Sequence, residues 1–459
     1  MANIPLKRIL VANRGEIAVR VIRAARELGI ETIAVYSTAD KDSLHVRLAD
    51  QALCIGPGPT RESYLDAKKI LLAAQLMGAD AIHPGYGFLS ENAEFARQVE
   101  VASMKFIGPS WECIALMGDK IEAKRAMLKL GIPCVAGTDG GVANIEKAQA
   151  AAAEIGYPVI LKASGGGGGR GMRVAESADE LSSAFSMTRE EAGRAFGNDT
   201  IYIERYLASP RHIEIQVILD QFGNGVWLGE RDCSIQRRHQ KVIEEAPAQF
   251  IDRDTLAALG ATCVNACREM GYEGVGTFEF LYENGTFSFI EMNTRIQVEH
   301  TITEMLTGID IVGEQIRVAC GDVLSIDQAA VRCEGVAIEM RINAESPETG
   351  LPSAGRVADW NLPGGQGVRV DTYMQHGGNV PAFYDSMIAK LIVHGQTREK
   401  AIRKALSALS EFQVSGISTN VELHQSILKN ETFQAGAVDI HFLASLVAAG
   451  KHTKRGINS

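Results

Sequence analysis

Two glutamates and an asparagine converge on one face of a predicted β-hairpin, where they could bind a cation. The stretch "GTFEFLYENGTFSFIEMNTRIQVEH" at 276–300 contains two apolar, β-rich runs separated by an Asn-Gly turn. A two-residue turn places Phe278 opposite Glu291, whereas a three-residue turn pairs Glu279 with Glu291. The second register is predicted because it separates acidic from apolar side chains. Asn293 then joins the acidic face, and the apolar face carries Phe278, Phe280, Ile290 and Met292.

This group of oxygen ligands predicts a divalent cation. Two carboxylates that face each other repel unless a cation lies between them. Hard oxygen ligands close to a phosphate-binding loop are typical of Mg²⁺ or Mn²⁺ that bridges nucleotide phosphates. The alternative is a solvated acidic strand face without a bound ion.

The segment "RIQVEH", directly after the hairpin, is a second candidate for chemistry. In an extended chain Arg295, Gln297 and Glu299 point to one side. An arginine, an amide and a carboxylate placed in this way can bind and deprotonate a small oxyanion. The stretch "ERDCSIQRRHQKVIEE" at 230–245 favours an anion site over a solvated basic loop, because the chain is acidic overall. Its basic side chains are Arg231, Arg237, Arg238, His239 and Lys241.

The stretch "LKASGGGGGRGMRV" at 161–174 places five consecutive glycines between two predicted strands. It lacks the Gly-Lys-Ser/Thr ending of a Walker A loop, and a flexible linker would not interrupt a hairpin. The remaining interpretation is a lid whose backbone N–H groups approach phosphate oxygens closely, which glycine permits. Lys162 would add a point charge beside the same phosphates.

Three regions of different pattern must position these groups. Residues 8–36 read as strand, helix and strand, which is a βαβ unit of an open parallel sheet. This unit has a single glycine, Gly15, where a dinucleotide fingerprint needs three, so a dehydrogenase is disfavoured. From 118 to 333 tight turns join the strands, which predicts antiparallel sheets. Residues 334–459 begin with a strand and end in two helices, so the fold class is α/β combined with α+β.

The composition predicts a soluble, cytoplasmic protein that binds neither membranes nor nucleic acids. Of the 459 residues, 46% are hydrophobic and 22% charged, as in ordinary α/β proteins. The net charge of −10 repels polyanions. No apolar run approaches the roughly 18 residues of a membrane span, and the start "MANIPLKRIL" lacks a signal-peptide pattern. The eight cysteines are scattered without metal-ligand spacing, which fits a reducing compartment.

An ordered set of motifs between residues 6 and 445 closely resembles the biotin carboxylase family. The motifs are "ANRGEIA", "HPGYGFLSEN", "GPS…MGDK", "YPVILKASGGGGGRGMRV", "PRHIEIQV", "ERDCSIQRRHQKVIEEAP", "GTFEF", "FIEMNTRIQVEH", "RINAE" and "FYDSMIAKLIV". The resemblance implies a three-domain ATP-grasp enzyme. Its expected domains are an N-terminal open parallel sheet (1–117), an ATP-grasp domain (118–333) with a glycine-rich lid at about 134–206, and a mixed α+β domain (334–459).

The resemblance also implies the site residues. Positions that contact ATP are matched by Lys120, Lys162, Gly168, Gly169, Glu204, Arg205, Leu207, His212, Gln236, His239 and Glu279. The metal ligands are matched by Glu279, Glu291 and Asn293. The bicarbonate pocket is matched by Lys241, Arg295, Gln297 and Val298. Glu299 matches the general base, and Arg341 matches the residue that stabilises the biotin enolate.

The implied reaction is ATP-dependent carboxylation of biotin by bicarbonate through carboxyphosphate, with Mg²⁺ or Mn²⁺. No "MKM" biotin-acceptor motif occurs, so we expect biotin to arrive on a separate biotin carboxyl carrier protein. We also expect a homodimer and a partner carboxyltransferase subunit. Acetyl-CoA is the expected final carboxyl acceptor, with pyruvate or another acyl-CoA or 2-oxo acid as the alternative. Another ATP-grasp ligase or a non-enzymatic nucleotide sensor would explain fewer of these motifs.

Three positions depart from the common pattern of this family. Thr301 stands where many biotin carboxylases of fatty-acid synthesis have proline, and threonine there is familiar from pyruvate carboxylases. Met340 stands where cysteine is common, and Arg205 where lysine is frequent. None of these positions has a proton-transfer or metal role, so activity is still expected.

Overall fold

The structure is a computed structural model that describes residues 6–165, 171–347, 349–436 and 438–455. Over these residues the larger sheets have five, three and eight strands, and two pairs of short strands stand apart. No helix within the described residues is long and apolar enough to cross a lipid bilayer.

The first region is an open parallel sheet in the strand order β3-β2-β1-β4-β5. Ile9 and Val11 of β1 pack into one apolar cluster, whereas Leu10 packs into another on the opposite face. Both faces are therefore covered, as parallel sheets require, and the predicted βαβ unit is confirmed. The strands are β1 Arg8–Val11, β2 Glu31–Ser37, β3 Gln51–Gly56, β4 Ala81–His83 and β5 Lys105–Phe106. The helices are α1 Gly15–Glu27, α2 Leu44–Leu48, α3 Ala67–Leu76, α4 Ala93–Val101 and α5 Trp111–Gly118.

A small antiparallel sheet, β7-β6-β8, follows helix α6 and carries two helices on one face. Val159 and Leu161 of β6 pack against Ala148 and Phe185 of these helices, which gives this unit a core of its own. The glycine-rich segment joins β6 to β7, and residues 166–170 of it lie outside the described residues. The elements are α6 Lys120–Lys129, α7 Ile145–Ile155, β6 Val159–Ala163, β7 Met172–Ala175, α8 Ala178–Phe196 and β8 Ile201–Arg205.

The eight-stranded sheet has the order β13-β12-β9-β10-β11-β14-β19-β17 and is antiparallel throughout. Five of its strands come from the central region of the chain: β9 Arg211–Leu219, β10 Gly225–Arg237, β11 Gln240–Ala246, β12 Gly274–Glu283 and β13 Thr286–Asn293. The helices of this part are α9 Arg253–Glu269, α10 His300–Thr307 and α11 Ile311–Ala319. Because β11 pairs with β14, the sheet continues across the boundary expected at 333–334, and the division into three domains stays a prediction.

The C-terminal region completes this sheet and covers it with helices. Its strands are β14 Val336–Asn343, β15 Gly355–Arg356, β16 Trp360–Asn361, β17 Val368–Thr372, β18 Asn379–Val380, β19 Met387–Gly395 and β20 Gln413–Val414. Its helices are α12 Arg398–Glu411, α13 Val421–Lys429, α14 Glu431–Ala435 and α15 Phe442–Arg455. The prediction of two final helices was therefore incomplete, since Asn430 caps α14 directly after α13 and α15 follows. The predicted combination of α/β and α+β architecture is confirmed.

Candidate active site

A cavity of about 880 Å³ lies where the first, central and C-terminal regions meet. Every described residue of the predicted site lines it: Lys120, Lys162, Glu204, Arg205, Leu207, His212, Gln236, His239, Lys241, Glu279, Glu291, Asn293, Arg295, Gln297, Val298, Glu299 and Arg341. Gly168 and Gly169 lie outside the described residues. Residues as far apart in sequence as Lys120 and Arg341 are thus brought to one site by the fold.

The alternation of side chains along β9 explains the polar floor of this cavity. Ile213, Ile215 and Val217 pack into the apolar cluster under helix α9. The intervening residues His212 and Glu214, which are buried, face the opposite side. A strand buried on both faces needs partners for its polar side chains, and the site residues supply them.

The hairpin of β12 and β13 pairs Glu279 with Glu291, as predicted, but by a different route. The connection is a two-residue turn at Asn284 and Gly285, both with positive φ, and a β-bulge shifts the register beside Glu279. The bulge removes Ile290 from the predicted apolar face, because the strand gains one residue there. Ile290 lines the cavity instead, so its predicted place in the core was wrong.

The carboxylate of Glu279 is a hub of hydrogen bonds at the cavity floor. Its Oε1 accepts from Asn293 Nδ2 at 2.7 Å, from Gln297 Nε2 at 2.7 Å and from Lys241 Nζ at 3.0 Å. Its Oε2 lies 3.0 Å from His212 Nε2. Burial alone would favour the protonated acid, but Lys241 and His212 outweigh it and hold the pKa of Glu279 well below its usual range. In turn burial opposes the charged imidazole, but Glu279 raises the pKa of His212 to about 9.

Glu291 is the more accessible partner of this pair. Its Oε2 lies 3.4 Å from Lys120 Nζ, and its side chain is 38% exposed. Two glutamates opposite each other, with Asn293 hydrogen-bonded to one of them, form a set of hard oxygen donors. This donor set suits a divalent cation such as Mg²⁺ or Mn²⁺, so these residues fit the predicted metal.

Lys241 lies among three buried carboxylates, one of which is Glu279. Its Nζ donates to Glu214 in a short hydrogen bond, to Glu279 at 3.0 Å and to Glu299 at 2.7 Å. Burial opposes the ammonium charge, but these carboxylates raise the pKa of Lys241 well above its usual value. Lys241 therefore stays charged at neutral pH.

Glu299, the predicted base, lies at the deep end of the cavity and is only 1% exposed. Its second oxygen accepts from Arg341 Nη2 at 3.0 Å, and Arg341 Nε also donates to Glu244 at 2.5 Å. Burial acts to raise the pKa of Glu299, but Lys241 and Arg341 outweigh it and lower that pKa. The carboxylate is therefore ionised at neutral pH, as a proton acceptor must be.

The segment 294–299 is irregular rather than extended, which corrects the expected geometry of "RIQVEH". Gln297 is buried, where it donates to Glu279 and accepts from Arg231. Arg295 instead reaches Glu91 of the first region, with 2.9 Å between its Nε and the carboxylate. These residues all line the cavity, but the loop positions each one separately.

The cavity side formed by the small sheet carries cations. Glu204 lies between Lys124 and Lys162, with 2.7 Å from each Nζ to one of its oxygens. The Arg205 guanidinium donates to the backbone at the end of α7, 3.0 Å away. His239 lies at the tip of the hairpin of β10 and β11, where it and Arg238 adopt positive φ. Positive φ at both residues is the geometry of a two-residue hairpin turn between paired Arg237 and Gln240.

The basic side chains of residues 230–245 differ in whether they line the cavity. His239 and Lys241 line the cavity, but Arg237 and Arg238 do not. Arg231 is fully buried below the cavity, where it donates to Glu214 and Gln297.

Sequence reasoning missed Glu91, Glu214 and Glu244 as partners of the site. Glu214 was detectable, because "HIEIQ" alternates polar with apolar residues and places Glu214 on the same face as His212. Glu91 and Glu244 gave no such signal: they meet Arg295 and Arg341 across 204 and 97 residues of sequence. These carboxylates fix the two arginines that face the cavity.

Known families match the chain along nearly its whole length. Residues 5–114 match the biotin carboxylase N-terminal domain, and residues 339–445 match the biotin carboxylase C-terminal domain. Residues 119–327 between them match the ATP-binding domain of the carbamoyl-phosphate synthase L chain.

Whole proteins of similar length resemble the chain closely. It is 58% identical to biotin carboxylase of Haemophilus influenzae over 95% of the chain and 98% of that protein. It is 51% identical to a pyruvate carboxylase subunit of Methanothermobacter thermautotrophicus, over 95% of the chain and 89% of that protein. The crystal structure of the biotin carboxylase–beta-gamma-ATP complex from Campylobacter jejuni superposes with a TM-score of 0.93 at 49% identity, covering 96% of this chain and 99% of that one. The chain belongs to the biotin carboxylase family, and its central region has the ATP-grasp fold.

Proposed function

We propose that this protein carboxylates biotin with bicarbonate at the expense of ATP, giving N-carboxybiotin, ADP and phosphate through carboxyphosphate. The observation that carries the proposal is the position of Glu299, an ionised carboxylate between Lys241 and Arg341. It shares one cavity with the oxygen cluster around Glu279 and with the lysines beside Glu204. Membership of the biotin carboxylase family supports the same reaction.

In this proposal the cations of the small sheet and its neighbours bind ATP. Lys120 and Lys162 face the phosphates as point charges, and Glu204 orients Lys162 through their ion pair. Gly168 and Gly169, which lie outside the described residues, are proposed as further ATP contacts on the family resemblance alone. The other proposed ATP contacts are Arg205, Leu207, His212, Gln236, His239 and Glu279. A solved relative is a biotin carboxylase–beta-gamma-ATP complex.

Glu279, Glu291 and Asn293 would hold Mg²⁺ or Mn²⁺ beside the phosphates. A metal at this position would neutralise the negative charge that spreads over the transferring phosphoryl group. The biotin carboxylase domain of the Hydrogenobacter thermophilus 2-oxoglutarate carboxylase, 46% identical to this chain, is a dimer in complex with MgADP, ADP and bicarbonate.

Bicarbonate would bind between Lys241, Arg295, Gln297 and Val298. Glu299 then removes its proton, since this carboxylate is ionised and buried beside the anion pocket. The bicarbonate oxygen then attacks the γ-phosphate of ATP, which releases ADP and gives carboxyphosphate, and carboxyphosphate breaks down to CO₂ and phosphate. The phosphate takes the ureido N–H proton of biotin while Arg341 stabilises the resulting enolate oxyanion, and the ring nitrogen then bonds to the carbon of CO₂. Because Arg341 contacts Glu299 directly, the bicarbonate and biotin sites are adjacent.

We propose that biotin arrives on a carboxyl carrier protein and that a carboxyltransferase subunit completes the reaction. Acetyl-CoA is the proposed acceptor, which would place the protein in the acetyl-CoA carboxylase of fatty-acid synthesis in the cytoplasm, as a homodimer. Relatives named biotin carboxylase are 49–58% identical to the chain, and a pyruvate carboxylase subunit at 51% falls within that range, so sequence identity favours neither acceptor. Pyruvate is the second candidate, favoured by Thr301. The proposed domains remain 1–117, 118–333 with a lid at about 134–206, and 334–459.

ADP release from the purified protein tests the proposed reaction. With ATP, Mg²⁺ and bicarbonate, free biotin should increase the rate of ADP release. Turnover that requires bicarbonate but ignores biotin would contradict the proposal and indicate carboxyphosphate made for another acceptor. Transfer of ¹⁴C from bicarbonate to acetyl-CoA or to pyruvate, with a carrier protein and the matching carboxyltransferase, would decide between the two acceptors.

A further inference from the structure

The segment that carries Glu299 is attached to the C-terminal region at three successive points. On one face of the eight-stranded sheet, Glu339 and Arg341 of β14 lie beside Lys390 of β19, which pairs with Arg341 in register. Ile338, Met340 and Leu391 pack into the apolar cluster of the opposite face. The charged face is turned toward residues 298–301, which end the irregular loop and begin α10.

The Lys390 side chain makes the first of these three attachments. It is fully buried, and its Nζ donates to the backbone carbonyl of Val298 at 2.7 Å. The partner carboxylate Glu16 of α1 is farther away, at 3.4 Å. The shortest contact of this buried cation is therefore a peptide group, the one that joins Val298 to Glu299.

The first region keeps this cation in place. Glu16 accepts a short hydrogen bond from the Tyr86 hydroxyl, which fixes its carboxylate beside Lys390. Burial opposes the charge of Lys390, but the neighbouring Glu16, Glu339 and Asp371 raise the pKa of Lys390. Burial also raises the pKa of Glu16, and that of Glu339 to about 8, so Asp371 is the neighbour that is fully ionised at neutral pH. The lysine therefore remains a full donor to the Val298 carbonyl at neutral pH.

Thr301 makes the second attachment and gives a role to a position that departs from the family pattern. Its hydroxyl donates a short hydrogen bond to Glu339, and both side chains are fully buried. Proline, the residue common at this position, has no side-chain hydroxyl to donate. The third attachment is the contact of Arg341 with Glu299 itself.

We propose that Lys390 and the Thr301–Glu339 pair are positioning residues that hold Glu299 in place to deprotonate bicarbonate. Neither touches the predicted substrates, and both act through the backbone on either side of Glu299. The kinetic consequences of this positioning rest on the proposed function, because a misplaced base slows only the step in which it takes the proton of bicarbonate. A displacement of about 1 Å in such a group can reduce the rate by about 100-fold.

The kinetic test compares Lys390→Met with the unsubstituted protein. We expect kcat/KM for bicarbonate in biotin-dependent ADP release to fall by about 10- to 100-fold, with the KM for ATP nearly unchanged. Thr301→Val should reduce the same parameter, and Thr301→Ser, which keeps the hydroxyl, should restore it. Arg398→Met is the control, because Arg398 is a partly buried cation paired with Glu245 away from the cavity. It should leave both parameters unchanged in the folded protein.

Hydrogen exchange gives a readout that does not depend on activity. Amides of residues 294–302 should exchange faster in Lys390→Met and Thr301→Val, but not in Arg398→Met. Equal loss of affinity for ATP and bicarbonate, or unchanged exchange in this segment, would overturn the proposed positioning role. If Lys390→Met fails to fold, the comparison of Thr301→Val with Thr301→Ser decides. If the unsubstituted protein lacks biotin-dependent turnover, the proposed function fails and the exchange comparison still tests the positioning.

Discussion

Replacement of Glu299 by glutamine is the sharpest test of the proposed chemistry. The amide keeps the size of the side chain and one acceptor oxygen, but it cannot take a proton from bicarbonate. General-base catalysis contributes about 10²- to 10⁴-fold to such steps, so we expect biotin-dependent ADP release to slow by that factor. ATP binding should change little, because the cations beside Glu204 are untouched.

The structure also sets the expected cost in stability. Glu299 accepts from Lys241 at 2.7 Å and from Arg341 at 3.0 Å. Glutamine retains one of these two acceptors and turns its NH₂ group toward the other cation. We therefore expect the free energy of unfolding to decrease by about 1.5–3 kcal/mol, the usual value of a hydrogen bond to a charged group. A protein of this size should still fold.

The assay measures ADP release with and without biotin, at saturating ATP, alongside urea unfolding of the same sample. Glu245→Gln is the matched control, because Glu245 is a buried carboxylate paired with Arg398 at 2.6 Å and does not line the cavity. It should lose stability without losing turnover. A folded Glu299→Gln variant with a biotin-dependent rate close to that of the unsubstituted protein would refute the assignment of the base.

Three further predictions concern stability. Arg231→Met should lower the free energy of unfolding by about 3–5 kcal/mol, because it leaves buried acceptors and a carboxylate without their cation; urea unfolding measures this. Gly285→Ala should cost about 1–2 kcal/mol, since Gly285 has φ +78° and open space around it, so only the backbone is strained. The pKa of buried His45 and His424 is lowered to about 4 by burial. Their contribution to stability is therefore complete above the unfolded pKa of about 6.5 and decreases by about 1.4 kcal/mol per histidine for each pH unit between there and about pH 4, where the folded histidines also bind a proton.

Each of these predictions has a control within the chain. Arg194→Met removes an exposed arginine paired at i,i+4 and should have almost no effect on unfolding. Gly118 lacks a positive φ and has open space, so Gly118→Ala should be harmless where Gly285→Ala is not. The pH dependence of unfolding should become shallower in His424→Gln. If the free energy of unfolding changes as steeply between about pH 6.5 and 4 in His424→Gln as in the unsubstituted protein, the burial argument is wrong.

The fold was largely predictable from local patterns. Alternation in "HIEIQVIL" and the Asn-Gly turn at 284–285 define strands and a hairpin with few competing interpretations. The pairing of Glu279 with Glu291 followed from the need to separate acidic from apolar faces. The β-bulge did not, because a bulge and a longer turn produce the same pairing at Glu279. They differ in the pairs nearer the turn, where the bulge places Phe287 and Phe289 rather than Ile290 in the core.

Residues of the site were predictable where they belong to a sequence motif or to a strand with alternating polar and apolar residues. Contacts between distant segments were not: no periodicity in "LSEN" connects Glu91 to Arg295, and nothing in "VIEEAP" distinguishes Glu244, at the site, from its neighbour Glu245. The irregular loop at 294–299 is a further case, because its shape depends on the attachments of its backbone to Lys390 and α10 rather than on local propensity.

Because β11 and β14 are neighbours in one sheet, the chain cannot be divided cleanly between its central and C-terminal regions. Four residue pairs join these strands, from Ile243 with Met340 to Ala246 with Ala337. A fragment that ends near residue 333 would expose β11 as an open edge, which favours intermolecular strand pairing and aggregation. The two fragments should therefore behave as complementing halves, aggregating when expressed separately and recovering solubility when they are produced together.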